Sequence, residues 1–564
     1  MTPTLVRSPR RGAVGLAAAL AVAGLLAACD KAAGPPPPPA TGTLTPAAET
    51  ARQAPAAPVH SGIGWHKAAN DAEVDAAFAT ARADNKPVFV YWGAKWCPPC
   101  NQVQATLFNR QDFIERSRAF VPVYVDGDSA GAQKIGARFR VSGYPTMVLF
   151  NVQGKEVTRL PGEVDPVRYT EVLTLGMNAA RPVSAVLADA LARPATLAAN
   201  DWRLLGFYSW ETDQQQVIEK DKLPPTLLAL ADACPKDVAD AAMRLRLKAL
   251  AFADEKKPPP VDAATRAAVA AMLAEPVRAR EQTDMVTNYA SEIVRAASAR
   301  GTPERKALVG AFDAALKRLE ADATLSRADR MQAVIAQVDL VRIDEPAGGD
   351  SATGHARRGH PTQLPAELVA DAREQAARAD REITDGYERQ AVISSAAYLL
   401  ERAGLGSESD ALLKANLAKS HSPYYLMSGL ASNAKKRGDK AEALRWYREA
   451  YDKSEGPATR LQWGSSYIAA LIELAPHDEK AIEAATAKLW SEAAAQPDAF
   501  YMRSARSLQK VGEKLQAWNK GDAHRAAMTR LQARLDDLCA APAQSADERA
   551  TCRSLLGARA KPAA

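Results

Sequence analysis

An α/β domain followed by a large all-α region is the fold class this sequence predicts. Three observations carry that expectation. Over about residues 65–178, short apolar runs alternate with stretches of helical periodicity. After about residue 180 the strand pattern ends, and the chain reads as helical between Pro and Gly breaks. The 564 residues are 47% hydrophobic but only 6% aromatic, with abundant alanine, which favours helices packed through small residues over a large sheet.

The elements follow in order. "NDAEVDAAFATARADNKPV" sets Val74, Ala77, Phe78 and Ala81 at helical spacing behind the candidate caps Asn70 and Asp71. "VFVYW" (Val88–Trp92) is a continuous apolar run, the pattern of a buried central strand. "KWCPPCNQ" comes next and opens a helix to about Leu107. "FVPVYVD" (Phe120–Asp126) reads as a second strand and "AGAQKIGARFRV" as a helix. Thr146–Asn151 and Lys155–Leu160 form a hairpin about Gln153-Gly154. "DPVRYTEVLTLG" has Asp165 at the N-cap and Pro166 at the first helical position. The expected divisions are an export signal at 1–28, a Pro/Ala-rich tether at 29–62, the α/β domain at 63–180, and all-α regions at 181–343 and 366–560. A Gly/Pro/Ser-rich loop at 344–365 separates the two helical regions. Near 424–457, Leu430, Ala431 and Ala434 lie on one helix, Gly438 in a turn, and Ala443, Tyr447 and Ala450 on the next. This unit resembles the tetratricopeptide repeat.

Net charge is +6 without a dense Lys/Arg tract, so nucleic acid is not an expected partner. The amino terminus points to export. Arg7, Arg10 and Arg11 precede an apolar run that stops at Cys29 and is too short for a full span. Leu26-Ala27-Ala28-Cys29 resembles the bacterial lipobox, which implies cleavage before Cys29 and a lipid on its sulfur. The expected location is therefore the cell envelope, lipid-anchored and facing an oxidising periplasm. Pro35 to Pro39 stiffen a tether that holds the folded part away from the membrane.

Cys97 and Cys100 pose the chemical question: redox pair, metal knuckle or structural staple. Zinc needs four ligands, yet there is no second CxxC, and His60 and His66 lie upstream out of ligand spacing. No metal and no cofactor are expected. A buried strand leading to a cysteine at a helix start favours exchange chemistry. The helix N-terminus stabilises a Cys97 thiolate, and Cys100, one turn on, resolves the mixed disulfide.

"YWGAKWCPPC", the later "GYPT" (Gly143–Thr146) and the element order resemble the thioredoxin superfamily, in particular the exported thioredoxin-like domains of bacterial thiol:disulfide interchange proteins. The resemblance covers about a fifth of the chain and implies a central mixed sheet flanked by helices. By position, it makes Cys97 the nucleophile, Cys100 the deeper, resolving thiol, and Cys97–Cys100 the redox-active disulfide. Trp96 shields the site, and Pro145 is a cis-proline preceded by Tyr144, whose backbone serves an extended substrate. Two departures stand out. Tyr91 occupies the position where thioredoxins often have a buried aspartate, and "FVPVYVD" lacks its lysine partner, so proton transfer falls to water, Tyr91, Glu163 or Asp126. Pro98 and Pro99 stand where strongly oxidising relatives often have histidine, which favours a reductant or isomerase over an oxidase.

Cys539 and Cys552 flank a Pro-containing turn between helices and are expected to form a structural disulfide. Cys234, in "LLALADAC", reads as a buried, inert thiol. The leading expectation is a membrane-tethered oxidoreductase acting on disulfide-bearing proteins and fed by a membrane electron donor. The alternative is a helical scaffold for envelope proteins whose α/β module docks a partner or senses redox state.

Overall fold

The computed structural model describes residues 62–557, except 142, 161, 163–164, 346–361 and 541–544. The export signal, Cys29, the proline tether, Glu163 and most of the 344–365 loop lie outside the described residues.

The α/β part is a five-stranded sheet in the order β1-β3-β2-β4-β5. β1 (His66–Lys67), β3 (Val121–Asp126) and β2 (Val88–Gly93) run parallel; β4 (Thr146–Phe150) and β5 (Glu156–Leu160) are antiparallel. Around it lie α1 (Asp71–Ala83), α2 (Pro98–Thr106), α3 (Gln111–Ser117), α4 (Ala132–Arg138) and α5 (Pro166–Met177). Two of these elements, β1 and α3, are missing from the order read off the sequence. β1 has only two residues, and α3 only two turns, so neither carries a measurable period.

The period of two along β2 builds a core on each face of the sheet. Phe89 and Tyr91 pack with Val103, Phe108, Phe113 and Tyr169 on one side. Val88, Val90 and Trp92 pack with Val74, Phe78, Ile135 and Phe150 on the other. Both faces are covered, which is why β2 reads as an unbroken apolar run. Asn70 caps α1, its Oδ1 accepting the Glu73 N–H at 3.0 Å. Asp165 occupies the N-cap position of α5, with Pro166 first in the helix, but its side chain makes no capping bond. It pairs instead with Arg280 at 3.3 Å.

From Val183 onward the described residues are helices and turns, with one isolated bridge between Asp254 and Lys257. The helices Pro423–Arg437 and Lys440–Lys453 form a tight hairpin. Gly438 takes a left-handed φ of +82° between them, and Asp439 caps the second helix through the Glu442 N–H. Among the described residues no helix is long and apolar enough to cross a membrane. The sheet and the helices belong to one compact unit, and they meet at the end of β2.

Candidate functional site: a capped dithiol

β2 ends at Gly93, paired with Asp126 at the end of β3. The chain then turns through Ala94–Trp96, and Cys97 becomes the N-cap of α2 with Pro98 and Pro99 next. Proline is tolerated there because the first helical N–H groups have no intrahelical acceptor. The two prolines also remove both of those donors. Cys100 therefore supplies the first available N–H, and it donates to the Cys97 sulfur at 3.2 Å. In the reduced pair the same N–H meets a charged sulfur, and that charge-assisted bond, together with the helix N-terminus, favours a thiolate at Cys97. The two sulfurs are bonded, with Cα atoms 5.2 Å apart.

The Tyr144-Pro145 peptide is cis and leads into β4, whose Thr146 pairs with Trp92. Tyr144 reaches back to the dithiol loop, its ring edge-on to Trp96 at 6.3 Å. Gln133 fixes Tyr144 from α4, donating to its hydroxyl at 2.8 Å and to the Gly127 carbonyl at 2.7 Å. A Cβ at Gly127 would overlap that hydroxyl, so the turn after β3 needs glycine. Trp96 Nε1 donates to Asp128 at 2.8 Å, which orients the indole.

Tyr91 is fully buried, stacked on Tyr124 and edge-on to Phe108, and burial drives its phenol well above the ordinary range. Its hydroxyl is neutral at any physiological pH. Asp126 sits at the sheet end, where burial raises its carboxyl against the opposing pull of the Asp128 N–H. Of the carboxyls named for proton transfer, Asp126 is thus the one whose pKa burial raises, while Glu163 lies outside the described residues.

The resemblance implied that Cys100 is buried more deeply than Cys97. Here both are 2% exposed. The reason is the helical region, whose side chains join the dithiol in one buried cluster with Leu426, Met427, Leu430 and Trp463. Tyr425 stacks on Trp96 at 5.9 Å, and Trp463 meets it edge-on at 6.4 Å. The Arg503 guanidinium lies 4.4 Å from the Trp96 ring centre and 4.9 Å from that of Tyr144. Asn101 holds the dithiol loop by donating to the Lys95 and Cys97 carbonyls, and its Oδ1 lies 3.2 Å from Nε2 of His421. Burial and nearby Lys95 lower the His421 pKa, so that imidazole is neutral. Sequence reasoning missed Asp128, Gln133 and every one of these helix-borne groups. Nothing in the local sequence marks a partner some 330 positions away.

The remaining cysteines lie apart from this centre. Cys539 and Cys552 are joined, with Cα atoms 5.6 Å apart. Cys234 is a free, half-buried thiol. It donates to the Val238 carbonyl at 3.6 Å, and burial pushes it up to about 11. Among the described residues no group of His, Cys, Asp or Glu is arranged to hold a metal ion.

The sheet, the helix-start dithiol and the cis-proline loop define a thioredoxin fold that carries a CxxC pair at disulfide distance. Residues 74–176 match the family model for a thioredoxin-like domain. The chain is 34% identical over 97 residues to a thioredoxin of Mycobacterium tuberculosis, covering 17% of this chain and 79% of that one. It is 29% identical over 98 residues to thiol:disulfide interchange protein DsbD 2 of Pseudomonas aeruginosa, covering 17% of each chain. To the thiol:disulfide interchange protein DsbD of Pseudomonas fluorescens it is 28% identical over 116 residues, 19% of this chain and 20% of that one. The chain belongs to the thioredoxin family. It spans about a fifth of the length of the interchange proteins it matches.

Proposed function

We propose that this protein is an exported, lipid-anchored oxidoreductase that reduces or isomerises disulfides in other envelope proteins. The observation that carries the chemistry is the Cys97 sulfur at the start of α2, receiving the Cys100 N–H. The Cys97 thiolate attacks one sulfur of a substrate disulfide and releases the other as a thiolate. Cys100, as its thiolate, then attacks the Cys97 sulfur of the mixed disulfide and releases the second substrate thiolate. Two electrons pass to the substrate, and Cys97–Cys100 is left oxidised.

The direction follows from Pro98 and Pro99. Each removes an N–H that would otherwise stabilise the thiolate, so the reduced form is less favoured and the disulfide is a poorer oxidant. Such a reductant needs a donor on its own side of the membrane. The likeness to thiol:disulfide interchange proteins supports a membrane donor of that kind. Export and the anchor rest on the apolar run ending at Cys29. The hairpin at 423–453 has the helix–turn–helix form of a tetratricopeptide-like unit, which we read as a surface for recruiting protein substrates.

Insulin reduction by the full chain tests the chemistry. Cys97→Ser is expected to abolish it, and Cys100→Ser to accumulate mixed disulfides. Activity that survives Cys97→Ser eliminates the mechanism. A second reading, a helical scaffold with a redox-sensing module, is favoured by the burial of both cysteines. It predicts no insulin reduction by the full chain but a change in partner binding on oxidation.

A further inference from the structure

We propose that the C-terminal helices form a displaceable lid over the dithiol, so that the protein reacts fastest with disulfides whose carrier can displace it. The inference rests on reading Cys97 and Cys100 as the reacting pair. Exchange requires a substrate sulfur in bonding contact with the Cys97 sulfur. Cys97 is only 2% exposed, which closes its sulfur to any other chain, and the cis-proline Pro145 is buried as well.

The contacts that close the site have the form of a separable interface. Asp128 holds Trp96 from the α/β side and also accepts the Thr459 N–H at 2.9 Å and the Thr459 hydroxyl at 2.6 Å, from helix Pro457–Leu474. The same carboxylate thus orients the active-site indole and fastens the helix over it. Gly456, at a φ of +84°, lets that helix start so close that a Cβ there would lie 2.7 Å from the Asp128 Cβ. A second fastening joins α4 to the segment entering helix Met502–Trp518. The Gln133 N–H donates to Asp498 at 2.8 Å, and the Arg503 N–H donates to Gln133 Oε1 at 3.0 Å. These polar groups can exchange their partners for water on opening, so the cost of opening is set by the apolar contacts between the two sides.

The apolar part of the lid is Leu426, Met427, Leu430 and Trp463, clustered with Trp96 and the two cysteines, with Tyr425 stacked on Trp96 and Arg503 across Trp96 and Tyr144. These side chains occupy the indole face and the approach to the cis-proline, which are the surfaces an incoming chain needs. The lid therefore competes with substrate and slows reaction with disulfides presented without a binding partner for the helices.

The test measures carboxamidomethylation of Cys97 in the reduced full chain by peptide mass spectrometry, with glutathione as the reference thiol under the same conditions. Cys97 is expected to react roughly 100-fold or more below glutathione, as a thiol exposed only by opening. Thr459→Val and Arg503→Ala, checked for native helical circular dichroism, are expected to raise the rate about tenfold, the factor carried by one charge-assisted hydrogen bond or cation–π contact. Insulin reduction is expected to rise with it. Wild-type Cys97 reacting as fast as glutathione overturns the lid. So does a slow rate that neither variant changes, because the helices are then a fixed wall. Alkylation reads access alone, whereas loss of insulin reduction in Cys97→Ser reads the chemistry, so the two proposals fail separately.

Discussion

Tyr91 shows how one buried side chain limits the chemistry available to the site. It stands on β2 among Trp65, Phe108 and Tyr124, and its phenol is held neutral by burial. It fills space and keeps its proton. Tyr91→Phe is expected to leave insulin reduction and its pH profile essentially unchanged. A loss of roughly 100-fold or more, the share a proton-transfer residue contributes, would make the phenol the proton carrier. Tyr91→Ala removes a large ring from a packed core and is expected to cost about 3–5 kcal/mol in a urea melt. Asp126 has the opposite character: its carboxyl is raised by burial at the mouth of the sheet. Asp126→Asn is expected to remove an ionisation from the pH profile of Cys97 alkylation. An unchanged profile would leave the proton with water.

At the scale of elements, the helical region contains its own titratable pair. Asp371 on helix Ala366–Glu382 lies against Glu320 on helix Pro303–Ala321, and burial with that neighbour pushes its carboxyl up to about 7. Gln337 and Gln375 both donate to Glu320, each at 3.1 Å. A folded pKa above the unfolded value means stability is fully present below about 3.9 and is lost as pH rises through about 7. Asp371→Asn is therefore expected to raise Tm relative to wild type at pH 8, with the gain shrinking toward pH 4. A Tm difference independent of pH would refute the pairing. Helix Ala546–Ser554 is fastened by Cys539–Cys552 across a separation of 13 residues. Replacing both cysteines by serine is expected to cost about 3 kcal/mol of unfolding free energy, the loop-closure value for that length.

For the whole molecule, the buried cluster around the dithiol continues through the helices between residues 423 and 555. Opening the lid exposes part of that cluster without unfolding the sheet, so it has its own urea dependence. In urea, Cys97 is expected to become reactive below the midpoint of the loss of helical circular dichroism. Coincidence of the two curves would mean that the dithiol is reached only by global unfolding. Anchoring is a second property at this scale. Cys29→Ala is expected to move the protein from the membrane fraction to the soluble fraction, and retention in the membrane would exclude the lipid on Cys29.

Much of this protein is written in local sequence. The unbroken apolar run of β2, the hairpin about Gly154 and the prolines at the starts of α2 and α5 follow from short-range rules of period and backbone freedom. "WCPPC" and "GYPT" mark the dithiol and its neighbouring loop for the same reason, since each depends on a few consecutive residues. β1 and α3 escaped because they are too short to show a period. Only the tertiary structure decided what lies over the dithiol. Tyr425, Thr459, Trp463 and Arg503 are ordinary residues of amphipathic helices until folding carries them onto Trp96 and Asp128. Periodicity says which face of a helix is buried, but not against what. That choice belongs to the packing of the whole chain, and here it turns an open redox motif into a closed one.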